Sequence, residues 1–404
     1  MNITVNESNG KKPWQRIDKK YYYVGAIVTL LVIVGIIGAV FASKMSNNTK
    51  KNKDNNGQAS DLPTNIGDNP TNTPGNTNTP TQPPVPQFVE SPINGKKIDG
   101  KRYEEIKSRP PLAVIVQNST EARPQVGINQ ADVVYETLAE GGITRWLAIY
   151  WSQDAEKIMS VRSLRKYFAD ITGDYKNVVL MHIGYAEGAT NVNAMTSVNV
   201  NKIKDLGFRA DSFFRDQVCQ KTKAQEHCAY TSTSTLWNLA KASNWNADIN
   251  AMQRWKFKED NSQVNANGAD LAAFTTNFSS LSSGSYSVTW KYDPNEKNYK
   301  RYYLNGTAHS DSTGTQIFAD VVIYQKINSF PANDEKHHQV QEVIGSGTGH
   351  VMQNGKVYDI TWKKPDYSTR TKFFDATTGE EFVFNNGRIW NMLVAKGLSY
   401  QVAK

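Results

Sequence analysis

Three carboxylates, Asp132, Glu136 and Glu140, recur every four residues in the segment ADVVYETLAEGG, and two arginines, Arg162 and Arg165, flank Ser163 in the nearby VRSLR. Carboxylates serve general acid–base chemistry, and paired guanidinia grip a phosphate or carboxylate bidentately. On a helix the four-residue spacing would bring neighbours within about 5–6 Å. On a strand they share a face but stand about 13 Å apart. Val133, Val134 and Tyr135 favour the strand. The carboxylates are then too dispersed for an acid–base pair within one element, and any partner must come from elsewhere. The arginines have two readings: they hold an anionic ligand, or they lock Glu136 or Glu140 in a structural ion pair. Arg145 follows Gly141-Gly142 and Thr144, which read as a hairpin turn leading into a buried strand. His182 closes the apolar run Val178–Met181. A histidine at a strand end suits either a site residue or a hydrogen-bonded structural one. The candidate ligand-binding set is Glu136, Glu140, Arg145, Arg162, Ser163, Arg165 and His182; no catalytic residue can be assigned.

Other signatures are missing. The remaining histidines, His227, His309, His337, His338 and His350, show no metal-ligand spacing, and His337-His338 reads as a solvated polar loop. There is no G-x-S-x-G elbow and no phosphate-binding loop with a Lys-Ser/Thr ending. No metal and no cofactor is expected. Trp290, Trp362 and Trp390 in the second half either line an aromatic groove for glycans or pack a core. The two cysteines, Cys219 and Cys228, would close a ten-residue loop if paired; the alternative is two free thiols.

The elements that must carry these residues follow from composition. Residues 21–42, YYYVGAIVTLLVIVGIIGAVFA, include an uncharged run from Val24 to Ala42. Such a run is long enough to cross a hydrocarbon core of about 30 Å. Lys11, Lys12, Arg16, Lys19 and Lys20 precede it, which places residues 1–20 in the cytoplasm as a short tail. The rival reading, a cleaved signal peptide ending near Val40-Phe41-Ala42, has a shorter apolar region than this one. Either way the remainder is exported, where a disulfide persists. Residues 43–88 are rich in Asn, Thr, Pro and Gly and read as a disordered stalk.

Beyond the stalk, runs such as Leu112–Val116, Val133–Leu138, Trp146–Trp151 and Val178–Met181 read as strands. Helix candidates lie near 162–173, 186–197 and 231–242, so residues 89–245 read as a mixed α/β domain. Residues 246–284 read as a connection. Residues 285–404 read as β-rich, with Asn305-Gly306, Asn354-Gly355 and Asn386-Gly387 as hairpin cues. The overall charge is +8, but tail and stalk carry part of it. The excess left on the folded part is too mild to indicate nucleic-acid binding.

These residues resemble a known family, the YerB-like lipoproteins of domain-of-unknown-function family 3048. The resemblance runs through Arg123-Pro124-Gln125-Val126-Gly127, Gln130 to Glu136, Ala139 to Arg145, Val161 to Arg165 and His182-Ile183-Gly184. In the second half it runs through Tyr302 to Asn305, His309-Ser310-Asp311, Asp320 to Ile323, Asn354 to Lys356, Trp362 to Lys364 and Gly387 to Trp390. It implies an α+β fold: an α/β N-terminal domain with layered β-sheets and a smaller β-rich C-terminal domain, after one N-terminal transmembrane helix. It also implies attachment to the outer face of a bacterial membrane, and no activity. No lipobox cysteine follows the apolar segment here, so the helix of residues 21–42 takes over the anchoring.

The resulting expectation is a single-pass protein of the bacterial cell membrane, extracytoplasmic in bulk. Its expected partners are the membrane and a cell-wall polymer or envelope protein. The competing expectation is a cell-wall hydrolase or transferase using Glu136, Glu140 or His182 with Arg162 and Arg165.

Overall fold

Apolar runs buried on both sides dominate the chain. In a computed structural model that describes residues 87–258, 265, 267–280 and 284–404, they assemble into one central sheet. The tail, the apolar segment and nearly all of the stalk lie outside the described residues. Among the described residues no helix is long and apolar enough to cross a membrane. Phe88, the last residue assigned to the stalk, already pairs with Asp99 in a short ribbon.

The main strands in chain order are β1 (Leu112–Gln117), β2 (Val133–Leu138), β3 (Thr144–Tyr150), β4 (Val179–Met181) and β5 (Lys204–Asp205), then β6 (Val321–Pro331), β7 (Gly345–Gln353), β8 (Lys356–Lys364) and β9 (Ile389–Ala395). Their spatial order is β8-β7-β6-β9-β2-β3-β1-β4-β5. The last of these, β9, lies between β6 and β2 and runs parallel to both. Strands from the two halves of the chain therefore share one hydrogen-bonded sheet, and the described residues belong to one compact unit. This architecture is α+β, mostly sheet with few helices.

Alternate residues of the strands feed two cores. Ala113, Ile115, Tyr135 and Leu147 enter one, together with Phe168, Ile171 and Val198 from helices α1 (Lys166–Ile171) and α2 (Ala194–Val200). Val114, Val134, Trp146 and Met392 enter the other, against Leu236 of helix α3 (Thr233–Ala242) and against Phe274, Trp290 and Tyr299 of a second sheet. That sheet is a five-stranded layer built from residues of the second half. A sheet covered on both faces needs apolar residues at consecutive positions, which is why these strands read as continuous runs.

The expected helix over 186–197 begins only at Ala194, because Asn193 caps it and residues 186–193 form a loop. The helix expected over 162–173 begins at Lys166; Arg162 to Arg165 are extended and bridge neighbouring chain at Leu164. Asn354-Gly355 forms the two-residue hairpin between β7 and β8, with φ of 53° and 67°. Asn386-Gly387 makes no hairpin: it leads into β9, and a Cβ at Gly387 would meet the Asp320 carboxylate at 2.2 Å.

Candidate functional site

The seven candidate residues fall into four separate places. Glu136 faces the second-sheet side of β2 and is fully buried. Its Oε1 accepts from Thr144 Oγ1 at 2.9 Å and from Arg301 Nη2 at 3.0 Å. Its Oε2 accepts from the Trp390 indole at 2.9 Å. Arg301 arrives from the second sheet and lies within 5.6 Å of the ring centres of Trp146, Trp290 and Trp390. Burial pulls the Arg301 guanidinium below its ordinary value, and Glu136 opposes that pull. Arg301 Nε bonds to His309 Nδ1 at 3.0 Å, and His309 Nε2 meets Gln125 Oε1 at 3.1 Å. Burial, then the nearby arginines, push His309 far down, so its ring is neutral and accepts from Arg301. Arg301, His309, Gln125 and Trp390 were not expected at this site. The one signal for Arg301 was its alternation with Tyr299 and Tyr303 on one strand face.

Glu140, Arg145, Ser163 and Arg165 do come together. The turn after β2 places Glu140 so that Arg165 Nη2 donates to its Oε2 at 2.6 Å, with Arg165 Nε donating to Oε1. Arg145 Nη2 stands 3.8 Å from the same carboxylate, and Arg145 Nη1 donates to the Ser163 carbonyl at 2.9 Å. Burial, then repulsion from Arg165, lowers Arg145 to about 10. Burial raises Glu140, but the Arg165 hydrogen bonds and charge more than reverse this and hold it below the usual carboxylate range. Arg162 points away, to Glu226 at 2.9 Å.

His182 is buried elsewhere. Its Nδ1 lies 2.7 Å from the Gly184 carbonyl and its Nε2 3.1 Å from Asp205 Oδ1. Gly207 packs so closely that a Cβ there would stand 2.4 Å from His182 Nε2. His338, expected in a solvated loop, is buried against Asp334, whose carboxylate takes its ring nitrogen at 2.5 Å. Trp290, Trp362 and Trp390 are core residues, fully buried, and line no groove. Cys219 and Cys228 are joined by a disulfide with a Cα–Cα distance of 5.6 Å. Among the described residues no group of three or more His, Cys, Asp or Glu side chains could hold a metal.

One crevice adjoins the Glu140 turn. It has a volume of about 780 Å³ and sits beyond the carboxyl ends of β2, β9 and β6. Its floor is Leu138 and Ala395, and its walls include Glu140-Gly141-Gly142, Phe330, Lys336 and Lys396. In sheets with parallel strands, ligands favour the crevice outside the carboxyl ends. Lys336 and Lys396 are exposed and have no acidic partner among the described residues, while Phe330 is 44% exposed. None of Lys336, Lys396 and Phe330 was singled out in the sequence, because the crevice exists only where three strand ends from distant segments align.

Fold and site together define a two-part α+β protein whose halves complete one sheet and enclose a crevice at their junction. The chain belongs to the DUF3048 family: residues 99–246 match its "N-terminal domain" and residues 274–390 its "C-terminal domain", both described as a protein of unknown function. It is 26% identical over 324 residues to "Putative lipoprotein YerB" of Bacillus subtilis (strain 168), covering 77% of this chain and 88% of that protein. The crystal structure of YerB protein from Bacillus subtilis matches with a TM-score of 0.64 at 23% identity, over 78% of this chain and 100% of that chain. At that identity the likeness concerns the fold.

Proposed function

We propose that this protein is a membrane-anchored, extracytoplasmic binding module of the bacterial envelope, which takes a wall polymer or a segment of an envelope protein in the crevice beyond β2, β9 and β6. The carrying observation is the state of the carboxylates. Glu136 already accepts from Thr144, Arg301 and Trp390, and Glu140 is clamped by Arg165. A general acid or base needs a free lone pair or proton aimed at substrate. Here those positions serve structure, and His182 sits in a third place. That favours binding over the hydrolase or transferase reading.

The crevice suits an anionic ligand with an apolar portion. Lys336 and Lys396 supply charge, and Phe330, Leu138 and Leu398 supply apolar surface. The uncharged run from Val24 to Ala42 and the basic tail before it support an anchor with the N-terminus inside, and the relative named as a lipoprotein supports membrane attachment. Sedimentation of the full-length protein in neutral detergent with isolated cell walls tests the reading. Retention at low salt is expected, reduced by Lys336→Glu with Lys396→Glu. No retention at low salt counts against it.

A further inference from the structure

A second cavity, of about 410 Å³, opens on the opposite end of the sheet, at the amino ends of β4 and β5. Two turns frame it. One carries Lys176 and Asn177, with Asn177 at φ 59°; the other carries Lys202, at φ 51°, followed by Lys204. These left-handed positions tighten both turns at the mouth of the cavity. Lys176 and Lys202 are exposed and make no ion pair among the described residues. Lys204 is half-buried, reaches only the Asn246 carbonyl at 3.5 Å, and is lowered by burial.

The charge of the cavity wall is uncompensated. Asp174 is its one acid, and that carboxylate is consumed: Lys364 Nζ donates to it at 2.6 Å, Thr371 N at 3.0 Å and the Tyr135 hydroxyl at 3.2 Å. Arg370, only 1% exposed, has no carboxylate partner. Its Nη atoms donate to the carbonyls of Pro92, Gln253 and Ile93, its plane lies 3.9 Å from the Trp255 ring centre, and its Nε has no acceptor. Three lysines and one buried guanidinium thus surround a concave space with no available negative charge.

We propose that this cavity is a binding site for a phosphate-bearing anion. Lysine ammonium groups are compact point charges with three donors each, so several of them around one concave space can contact a multiply charged phosphate from different directions. The one arginine here has its Nη atoms engaged by carbonyls, which leaves the lysines to make the contacts. The volume lies in the range of small-molecule sites. The site stands apart from the crevice beyond β2, β9 and β6 and does not depend on the function assigned to it.

Calorimetry on the full-length protein in neutral detergent tests this, with inorganic tripolyphosphate as the probe and citrate as a polycarboxylate comparison. At low salt the protein is expected to bind tripolyphosphate. Lys176→Gln with Lys202→Asn should weaken that binding at least tenfold; both positions are exposed, and asparagine tolerates the left-handed backbone at 202. Circular dichroism establishes that this variant is folded. The assignment is overturned by absence of tripolyphosphate binding at low salt, by equal affinity of the folded Lys176/Lys202 variant, or by citrate binding as tightly.

Discussion

Arg301 donates a 3.0 Å hydrogen bond to Glu136 across 165 positions of sequence, and neither side chain is more than 3% exposed. The pair ties the second sheet to the central one. It also explains why the carboxylate at the centre of the most distinctive sequence segment is not a free acid or base. Indole rings surround the guanidinium and a neutral histidine accepts its Nε, so the charge is desolvated yet held by hydrogen bonds from Nε and Nη2.

Glu136→Gln should therefore be costly. Removing one partner of a buried ion pair leaves the other charge uncompensated, typically at about 3–5 kcal/mol. Urea unfolding should show a loss of this size. Adding Arg301→Met to Glu136→Gln should restore part of it, since no lone buried cation remains. A double variant as unstable as the sum of its single changes would contradict this coupling.

Glu140 predicts a pH dependence. Its folded-state value is depressed by Arg165, so the unfolded state binds more protons as the solution is acidified. Its contribution is present above the ordinary glutamate value and is lost as pH falls through the depressed folded value. Stability of the wild type should therefore drop more steeply below about pH 4.3 than that of Glu140→Gln. Parallel denaturation curves between neutral and acidic pH would check the sign; identical slopes would refute it.

Gly207 is held to its size by His182. A methyl group there would lie 2.4 Å from Nε2 and 2.5 Å from Cε1 of a ring that is itself fully buried. Overpacking of this kind costs about 1–3 kcal/mol. Thermal unfolding of Gly207→Ala should reveal that loss, and loss of the His182–Asp205 contact should appear in the imidazole NMR signals. An unchanged melting temperature would mean that the ring moves aside freely.

The Cys219–Cys228 bridge closes a short surface loop. Cys219→Ser with Cys228→Ser should cost up to about 3 kcal/mol, the chain-entropy expectation for a loop of this length. The central sheet should survive, because no residue of the loop belongs to it. Denaturation midpoints with and without reductant would show whether the effect stays within that limit.

Much of the fold was legible along the chain. Leu112–Val116, Val133–Leu138 and the buried strand after Gly141-Gly142 read as strands because runs of β-branched and aromatic residues have few other stable uses in so short a length. Asn354-Gly355 marked its hairpin because two positive φ angles select those residue types. The charges of Glu136, Glu140, Arg162 and Arg165 left a ligand site and a structural ion pair both open, with either glutamate as the partner; the structure pairs Glu140 with Arg165 and sends Arg162 to Glu226. Other features depended on contacts between residues far apart. The insertion of β9 between β6 and β2, the pairing of Glu136 with Arg301, and the alignment of three carboxyl ends around the crevice have no local signature. Periodicity and turn chemistry report what a segment does with its immediate neighbours. Which distant strand supplies the partner is decided only when both faces of the sheet are buried and the polar groups carried inside must find hydrogen-bond partners there.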